Sequence, residues 1–359
     1  MTLPGQAVLR IDLGAVAANW RDLRDRHGAP VAGVVKADGY GLGAAAVARA
    51  LREAGCGTFF VAHLSEGLAL RQALGAGAAV AVLNGFPPGA DGGAGLLPVL
   101  NHLGDIAAHA AAAAGAARPA ILHLDTGMSR LGLDAREQAL LAEEPARLRG
   151  LDLRFVMTHL ACGDEPAHPL NARQRDRFTA AAARIAPGVP RSLANSSGIF
   201  LGADFRSDLA RPGCAIYGIN PVPGRPNPMR QVARVEAEVL QLRDVPAGDT
   251  VGYGASWTAP GPRRIATVAA GYADGYLRAL SGRSLGMLHG RAVPLVGRVS
   301  MDLTTFDVTD VPQARPGNRL LLIGGEGNTP DDIAARCGTI GYEVMTALGR
   351  RYARSYEGA

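Results

Sequence analysis

Lys36 is the only lysine in a 359-residue chain that carries 37 basic residues of the lysine and arginine types, so the other 36 are arginine. A sequence that uses arginine almost everywhere keeps a lysine where a neutral amine must form, because guanidinium stays protonated in proteins and cannot replace it. Lys36 closes an apolar run in Val34-Val-Lys-Ala-Asp-Gly-Tyr-Gly-Leu-Gly43, just before glycine-rich backbone. An amine at a low-dielectric barrel mouth loses part of its preference for the charged form, which suits it to attack a carbonyl and hold it as an imine. The Gly-x-Gly that follows is by itself a weak phosphate signal. Other polar residues also end apolar runs: His159 in Met157-Thr-His159, the pair Asn195-Ser196, and Arg211 in Arg211-Pro-Gly-Cys214. On residue type alone, His159 also reads as a satisfied core residue, Asn195-Ser196 as a helix cap, and Arg211 as a salt-bridged terminus.

These residues need a scaffold, and the order of apolar runs predicts one. Strand-like segments at 31–37, 58–63, 79–84, 98–102, 121–125, 153–159, 192–195 and 209–217 alternate with Ala/Leu/Arg-rich helical stretches. Eight such βα repeats predict an α/β fold, a (β/α)8 TIM-type barrel over residues 1–228, with reacting groups at the carboxyl ends of its strands. A Pro-rich segment at 221–228 reads as a linker. Beyond it, closely spaced β runs at 235–242, 264–270, 292–299, 304–308 and 320–323, with one short helical stretch at 331–336, predict a mainly β C-terminal domain over residues 229–359. The net charge of +5 comes from scattered arginines, with no basic run interleaved with aromatics, so no nucleic-acid partner is expected. Four widely spaced cysteines give no metal or disulfide framework, no apolar stretch is long enough to span a membrane, and the start carries no export signal. A cytoplasmic protein without a metal is the expectation.

The Lys36 segment resembles the cofactor-lysine motif of the alanine racemases, fold-type III pyridoxal phosphate enzymes. The resemblance continues in order through Asp125-Thr-Gly-Met-Ser-Arg-Leu-Gly132, Met157-Thr-His159, Asn195-Ser196, Arg211-Pro-Gly-Cys-Ala-Ile-Tyr-Gly218, Val251-Gly-Tyr-Gly254, Gly271-Tyr-Ala-Asp-Gly275, Val296-Gly-Arg-Val-Ser-Met-Asp302 and Ile340-Gly-Tyr-Glu-Val344, nearly the whole chain. It implies an alanine racemase that binds pyridoxal 5'-phosphate and exchanges the Cα proton of alanine between two faces, with Lys36 acting on the D side and Tyr253 on the L side. Lys36 would hold the cofactor. Tyr40, Ser196, the amides of Gly213 and Cys214, and Tyr342 would serve its phosphate, with Asn195 beside them. Arg211 would meet the pyridine nitrogen, Arg130 the phenolic oxygen, and His159, hydrogen-bonded toward Arg211, would tune Tyr253. Arg130, Met301 and Asp302 would face the substrate carboxylate and the site wall, and Tyr272, Arg278 and Arg298 the entrance. The resemblance further implies a head-to-tail homodimer in which Tyr253 and Met301 enter the other subunit's site.

Two positions depart from that pattern. Many members of the family carry a carbamylated lysine two residues before Asp125, where it orients the arginine matching Arg130; here His123 stands there, and a bound anion, a water or another side chain must take over. Gly341 replaces a frequent asparagine. The competing readings are a racemase of broader range acting on serine or larger amino acids, a non-catalytic pyridoxal phosphate homeostasis barrel, and a decarboxylase on the same two-domain plan. Cell-wall supply and catabolism of alanine both stay open.

Overall fold

The computed structural model describes residues 6–358, so the expectation about the extreme start, residues 1–5, lies outside the described residues. Two units are present, one made of Val16–Gly39 and Gly43–Arg230, the other of residues 6–15, Tyr40–Leu42 and residues 231–358.

The first unit is built on seven parallel strands in sequence order, Gly33–Val34, Thr58–Val61, Ala79–Val82, Leu97–Leu100, Arg118–His123, Leu151–Met157 and Arg191–Ser192. Val80, Val82, Val99, Ala120, Ile121 and Leu122 are fully buried, as expected of parallel strands covered on both faces. The two ends of this row meet through a parallel bridge between Val31 and Ala210, supported by Ala32 N–H to Ala210 O at 2.8 Å and by Tyr217 Oη donating to Val34 O at 3.0 Å. The sheet therefore closes as a TIM-type barrel, although its last position is thinner than expected. In place of a strand over 209–217 there is one bridge and then the short 3-10 turn Cys214–Tyr217. Pro212 still accepts the N–H of Val34 at 3.2 Å but has no N–H to return, so the ladder does not extend into a full strand. Helices such as Ala44–Glu53 and Pro169–Ile185 bury Val47, Leu51, Phe178, Ala182 and Ile185.

The second unit is mainly β. Its long strand Ala233–Val245 pairs antiparallel with Val8–Asp12, Arg319–Ile323 and Arg263–Val268. Ala233, Val235, Ala237 and Val239 are buried while their neighbours point outward, the period-2 pattern of a strand with one face in a core. Val8–Asp12 precedes every expected barrel strand, yet it lies here, parallel to Ala353–Glu357 and antiparallel to Ala233–Val245. Burial of Val8, Leu9 and Ile11 between those partners accounts for the placement.

Two turns of this unit are clamped backbone to backbone. Tyr272 N–H donates to Ser300 O and Ala273 N–H to Met301 O, each at 3.0 Å. Gly275, at φ 89°, approaches residue 347 so closely that a Cβ there would lie 2.0 Å from the Ala347 carbonyl oxygen. Gly275→Ala combines a left-handed backbone with a clash against rigid main chain, and is expected to destabilise this unit by about 2–4 kcal/mol. Urea unfolding of the purified variant checks this; an unchanged midpoint would show that the turn is free to move.

Candidate active site

The polar residues singled out in the barrel unit stand at or just beyond the carboxyl ends of its strands. Lys36 follows Gly33–Val34, His123 ends Arg118–His123, His159 lies two residues past Leu151–Met157, Asn195 and Ser196 follow Arg191–Ser192, and Arg211 follows the closing bridge. Strand direction alone thus gathers them at one mouth.

Burial sets their chemistry. The half-buried Lys36 amine has its pKa lowered, first by desolvation and then by the positive charge of Arg130, against an opposing pull from Glu66. Arg211 is buried, and desolvation takes even its guanidinium down to about 10. Its Nη1 donates to Ser192 Oγ and its Nη2 to the Thr158 carbonyl, and its charge sits 6.0 Å from the centre of the Phe60 ring. The hydrogen bond expected between His159 and Arg211 is not among these contacts. Arg211 instead acts on His159 through its field: desolvation and then Arg211, Arg130, His123 and Lys36 hold the imidazole well below its usual pKa. His159 is therefore neutral near pH 7 and keeps one nitrogen lone pair to accept a hydrogen bond.

The phosphate-side residues divide. Ser196 Oγ accepts the N–H of Gly213 at 2.9 Å and of Ala215 at 3.3 Å, so the Gly213 amide is already engaged. A hydroxyl that accepts twice still has its own proton to donate outward. Asn195 Oδ1 accepts the Gly198 N–H at 2.8 Å and its Nδ2 donates to Leu160 O at 3.3 Å, which makes it a cap for the turn Ser197–Phe200. In the second unit Tyr40 and Tyr342 meet edge to face with ring centres 6.3 Å apart.

His123 is buried, and its Nδ1 lies 2.9 Å from Asn101 Oδ1. Asn101 Nδ2 donates to Leu83 O at 3.0 Å and Val99 O at 3.1 Å, which fixes the amide orientation and obliges Oδ1 to accept from His123. Nδ1 of His123 therefore carries the proton and Nε2 is bare. Desolvation, then the charge of Arg211, pushes this imidazole down to about 3, with Asp125 opposing and Arg130 adding to the fall. The loop bearing Arg130 folds back on this ring: Leu133 N–H donates to His123 O at 2.9 Å, and a Cβ on Gly132 would lie 3.0 Å from the imidazole. Asn101 is thus the partner of His123 itself, not of Arg130, and the motif comparison missed it. A polar residue directly after the buried strand Leu97–Leu100 was the available signal.

The remaining candidates lie in loops of the β unit. Tyr253 is 71 % exposed and Met301 53 %. A Cβ on Gly254 would lie 2.9 Å from Arg298 Nη1, so the Tyr253 turn rests on the segment leading to Met301. Asp302 pairs with Arg351 at 2.8 Å, and Arg351 also reaches the buried Asp274 at 3.0 Å. Tyr272 is partly exposed beside them, and Arg278 opens the short turn Arg278–Leu280.

A chain turn beside Lys36 is also unusual. Ala37, Asp38, Gly39 and Tyr40 have φ of 52°, 53°, 64° and 54°, one left-handed turn that costs about 1–2 kcal/mol at each non-glycine residue.

Because the unfolded-state histidine takes up a proton near pH 6.5 and buried His123 only near 3, its contribution to stability is complete above about pH 6.5 and is lost as pH falls through that window. The gap in urea midpoint between wild type and His123→Gln should accordingly narrow between pH 7 and pH 4.5. A gap independent of pH would mean that His123 is protonated in the folded state.

Sequence comparison bears on the whole arrangement. The profile described as the alanine racemase N-terminal domain matches residues 11–221 and that of the alanine racemase C-terminal domain residues 232–356. A protein named alanine racemase from Acidiphilium cryptum is 54 % identical over 96 % of this chain and 97 % of its own length; one from Rhodospirillum rubrum is 52 % identical over 98 % and 96 %. The crystal structure of alanine racemase from Bartonella henselae with covalently bound pyridoxal phosphate superposes with a TM-score of 0.94 at 39 % identity, covering 99 % of this chain and all of the other.

Proposed function

This chain belongs to the alanine racemase family, and on that premise we propose that Lys36 and Tyr253 are the two groups between which the Cα proton of alanine moves. The enzyme interconverts L-alanine and D-alanine and depends on pyridoxal phosphate. The membership sets aside the decarboxylase and the non-catalytic barrel. When bound, the cofactor supplies an aldehyde for the amino group and a ring that draws electron density from Cα.

The donor set of the barrel fits that group. An aldehyde calls for an amine that is not locked in its charged form, and Lys36 is desolvated beside the charge of Arg130. A phosphate dianion calls for outward donors, and Ser196 retains its hydroxyl proton, with Tyr40, Tyr342 and the Cys214 amide as further members of the same reading. Arg211 belongs at the ring nitrogen. Since guanidinium keeps its proton even at a lowered pKa of about 10, Arg211 would donate to an unprotonated ring nitrogen and so restrain the ring as an electron sink, favouring return of the proton to Cα. Asn195 caps the neighbouring turn through Oδ1 and keeps a second Nδ2 hydrogen, so it stands with Ser196 in this wall.

Two faces of Cα need two groups, and the single desolvated amine of the chain is the observation that carries the assignment. Lys36 takes or returns the proton on the D face. Tyr253 does so on the L face, its hydroxyl donating to the lone pair of neutral His159. Arg130 is placed to pair with the substrate carboxylate, with Met301 and Asp302 beside it at the site wall. Tyr253 and Met301 are left open to solvent by their own chain, which supports a head-to-tail homodimer in which each subunit completes the other's site. Four free thiols favour a reducing compartment, the cytoplasm. Among the described residues no helix is long and apolar enough to cross a membrane.

Lys36→Ala is expected to lose the visible absorption of the lysine-bound cofactor and about 10³-fold or more of the racemase activity. Borohydride reduction of wild type followed by peptide mass spectrometry should place a pyridoxyl group on residue 36; a modified peptide elsewhere would defeat the assignment. For Tyr253→Phe, deuterium exchange at Cα from L-alanine should fall about 10²–10⁴-fold and more than exchange from D-alanine. Equal losses from both enantiomers would count against separate faces. Sedimentation should give a dimer, and a fully active monomer would exclude shared sites.

A further inference from the structure

Glu66 is the third residue of the helix Leu64–Leu74, where a glutamate ordinarily closes a capping box. Its Oε2 does so, accepting the N–H of His63 at 3.1 Å and of Ala62 at 2.8 Å. Its Oε1 does something a cap does not require. It crosses to the neighbouring strand end and accepts the N–H of Ala37, the residue directly after Lys36, at 2.6 Å. Three amide donors from two strand ends thus converge on one carboxylate. That tether enters the left-handed turn at its first residue, where Ala37 has a conformation that a side chain disfavours. Farther along, the turn is held by Gly39 N–H to Val35 O at 2.9 Å, Ala44 N–H to Asp38 Oδ1 at 2.9 Å and Gly43 N–H to Asp38 O at 2.7 Å. Nothing among these later bonds fixes the peptide between Lys36 and Ala37.

We propose that Glu66 is a positioning residue for the racemase reaction, fixing the direction of the Lys36 side chain by tethering the Ala37 amide to the end of the adjacent strand. The inference rests on Lys36 being the cofactor-bearing amine. A carboxylate is needed because glutamine offers one acceptor oxygen where three N–H groups approach from two sides, so one side is orphaned. The charge works in the same direction, since Glu66 opposes the fall in basicity that burial and Arg130 impose on Lys36.

The single lysine makes the test direct, because holoenzyme labelled with [15Nζ]lysine gives one side-chain signal. Glu66→Gln should stay folded and bind cofactor, while kcat falls about 10- to 100-fold in both directions, KM for alanine changes less than about 3-fold, and the lysine signal moves and titrates at lower pH. Adding Ala37→Gly, which adopts the left-handed conformation readily, should restore at least half of the lost kcat on a logarithmic scale. Should Glu66→Ala fail to fold, the glutamine variant and the double variant still decide the matter. Wild-type kcat in Glu66→Gln with an unmoved lysine signal would overturn the inference, as would a loss that Ala37→Gly cannot repair or one seen only in thermal midpoint. A wild-type lysine signal indifferent to added pyridoxal phosphate would bring down the reading of Lys36 and this inference together, whereas the former outcomes leave that reading standing.

Discussion

Arg211 is buried at the barrel mouth, and the partners that hold its guanidinium are the Ser192 hydroxyl and the Thr158 carbonyl, both neutral. A cation taken out of water costs several kcal/mol, and dipoles repay that cost only in part. The consequence spreads to its neighbours, because a second positive charge nearby would be still less favourable. His123 and His159 are held neutral by their own burial and by this field, and the Lys36 amine is made less basic by its burial and by Arg130. One polypeptide thereby obtains two neutral imidazoles and an amine of lowered basicity, the carboxylates of Glu66 and Asp125 opposing the trend only in part. It also becomes a site short of negative charge, which an anionic cofactor supplies.

The β unit solves a different problem, that of holding exposed side chains still. Tyr253 and Met301 protrude from short loops whose stems bury Val251 and Val296 in a small core of this unit. Backbone and ionic contacts add to that anchorage: Ser300 and Met301 carbonyls accept from Tyr272 and Ala273, Arg298 lies over Gly254, and Arg351 joins Asp302 to buried Asp274. The exposed ion pair to Asp302 is worth little by itself, while the one to Asp274 matters because it compensates a carboxylate that burial has already desolvated. Loops so fastened can present a phenol to a second chain without paying much ordering entropy on contact.

The barrel and most of its mouth were legible because parallel strands buried on both faces are written as unbroken apolar runs, and because chemistry sits at their carboxyl ends. Lys36, His159, Ser196 and Arg211 all follow that rule. What was not legible concerns partners rather than positions. That Asn195 is a cap and that Gly213 donates to Ser196 depend on the path of the chain after a two-residue strand, which no periodicity reports. Glu66 looks like an ordinary helix cap until the backbone shows its second oxygen reaching Ala37. Val8–Asp12 is too short to declare its sheet, and its place follows only from partners more than two hundred residues away.

The scarcity of lysine, first a clue to the site, is also a property with consequences for it. Pyridoxal phosphate carries an aldehyde that condenses with any unprotonated amine, so every surface lysine is a competing, unproductive acceptor. Thirty-six arginines give this chain its positive charge without offering one such amine, because guanidinium stays protonated. Within the barrel the same asymmetry operates at close range. Arg130 presses on Lys36, and Arg130 and Arg211 on the histidines, with a charge that is not readily discharged by losing a proton, whereas a lysine in either place would yield its own proton first and relax the field. Arginine around a single lysine therefore concentrates both the electrostatic pressure and the nucleophilicity on one nitrogen.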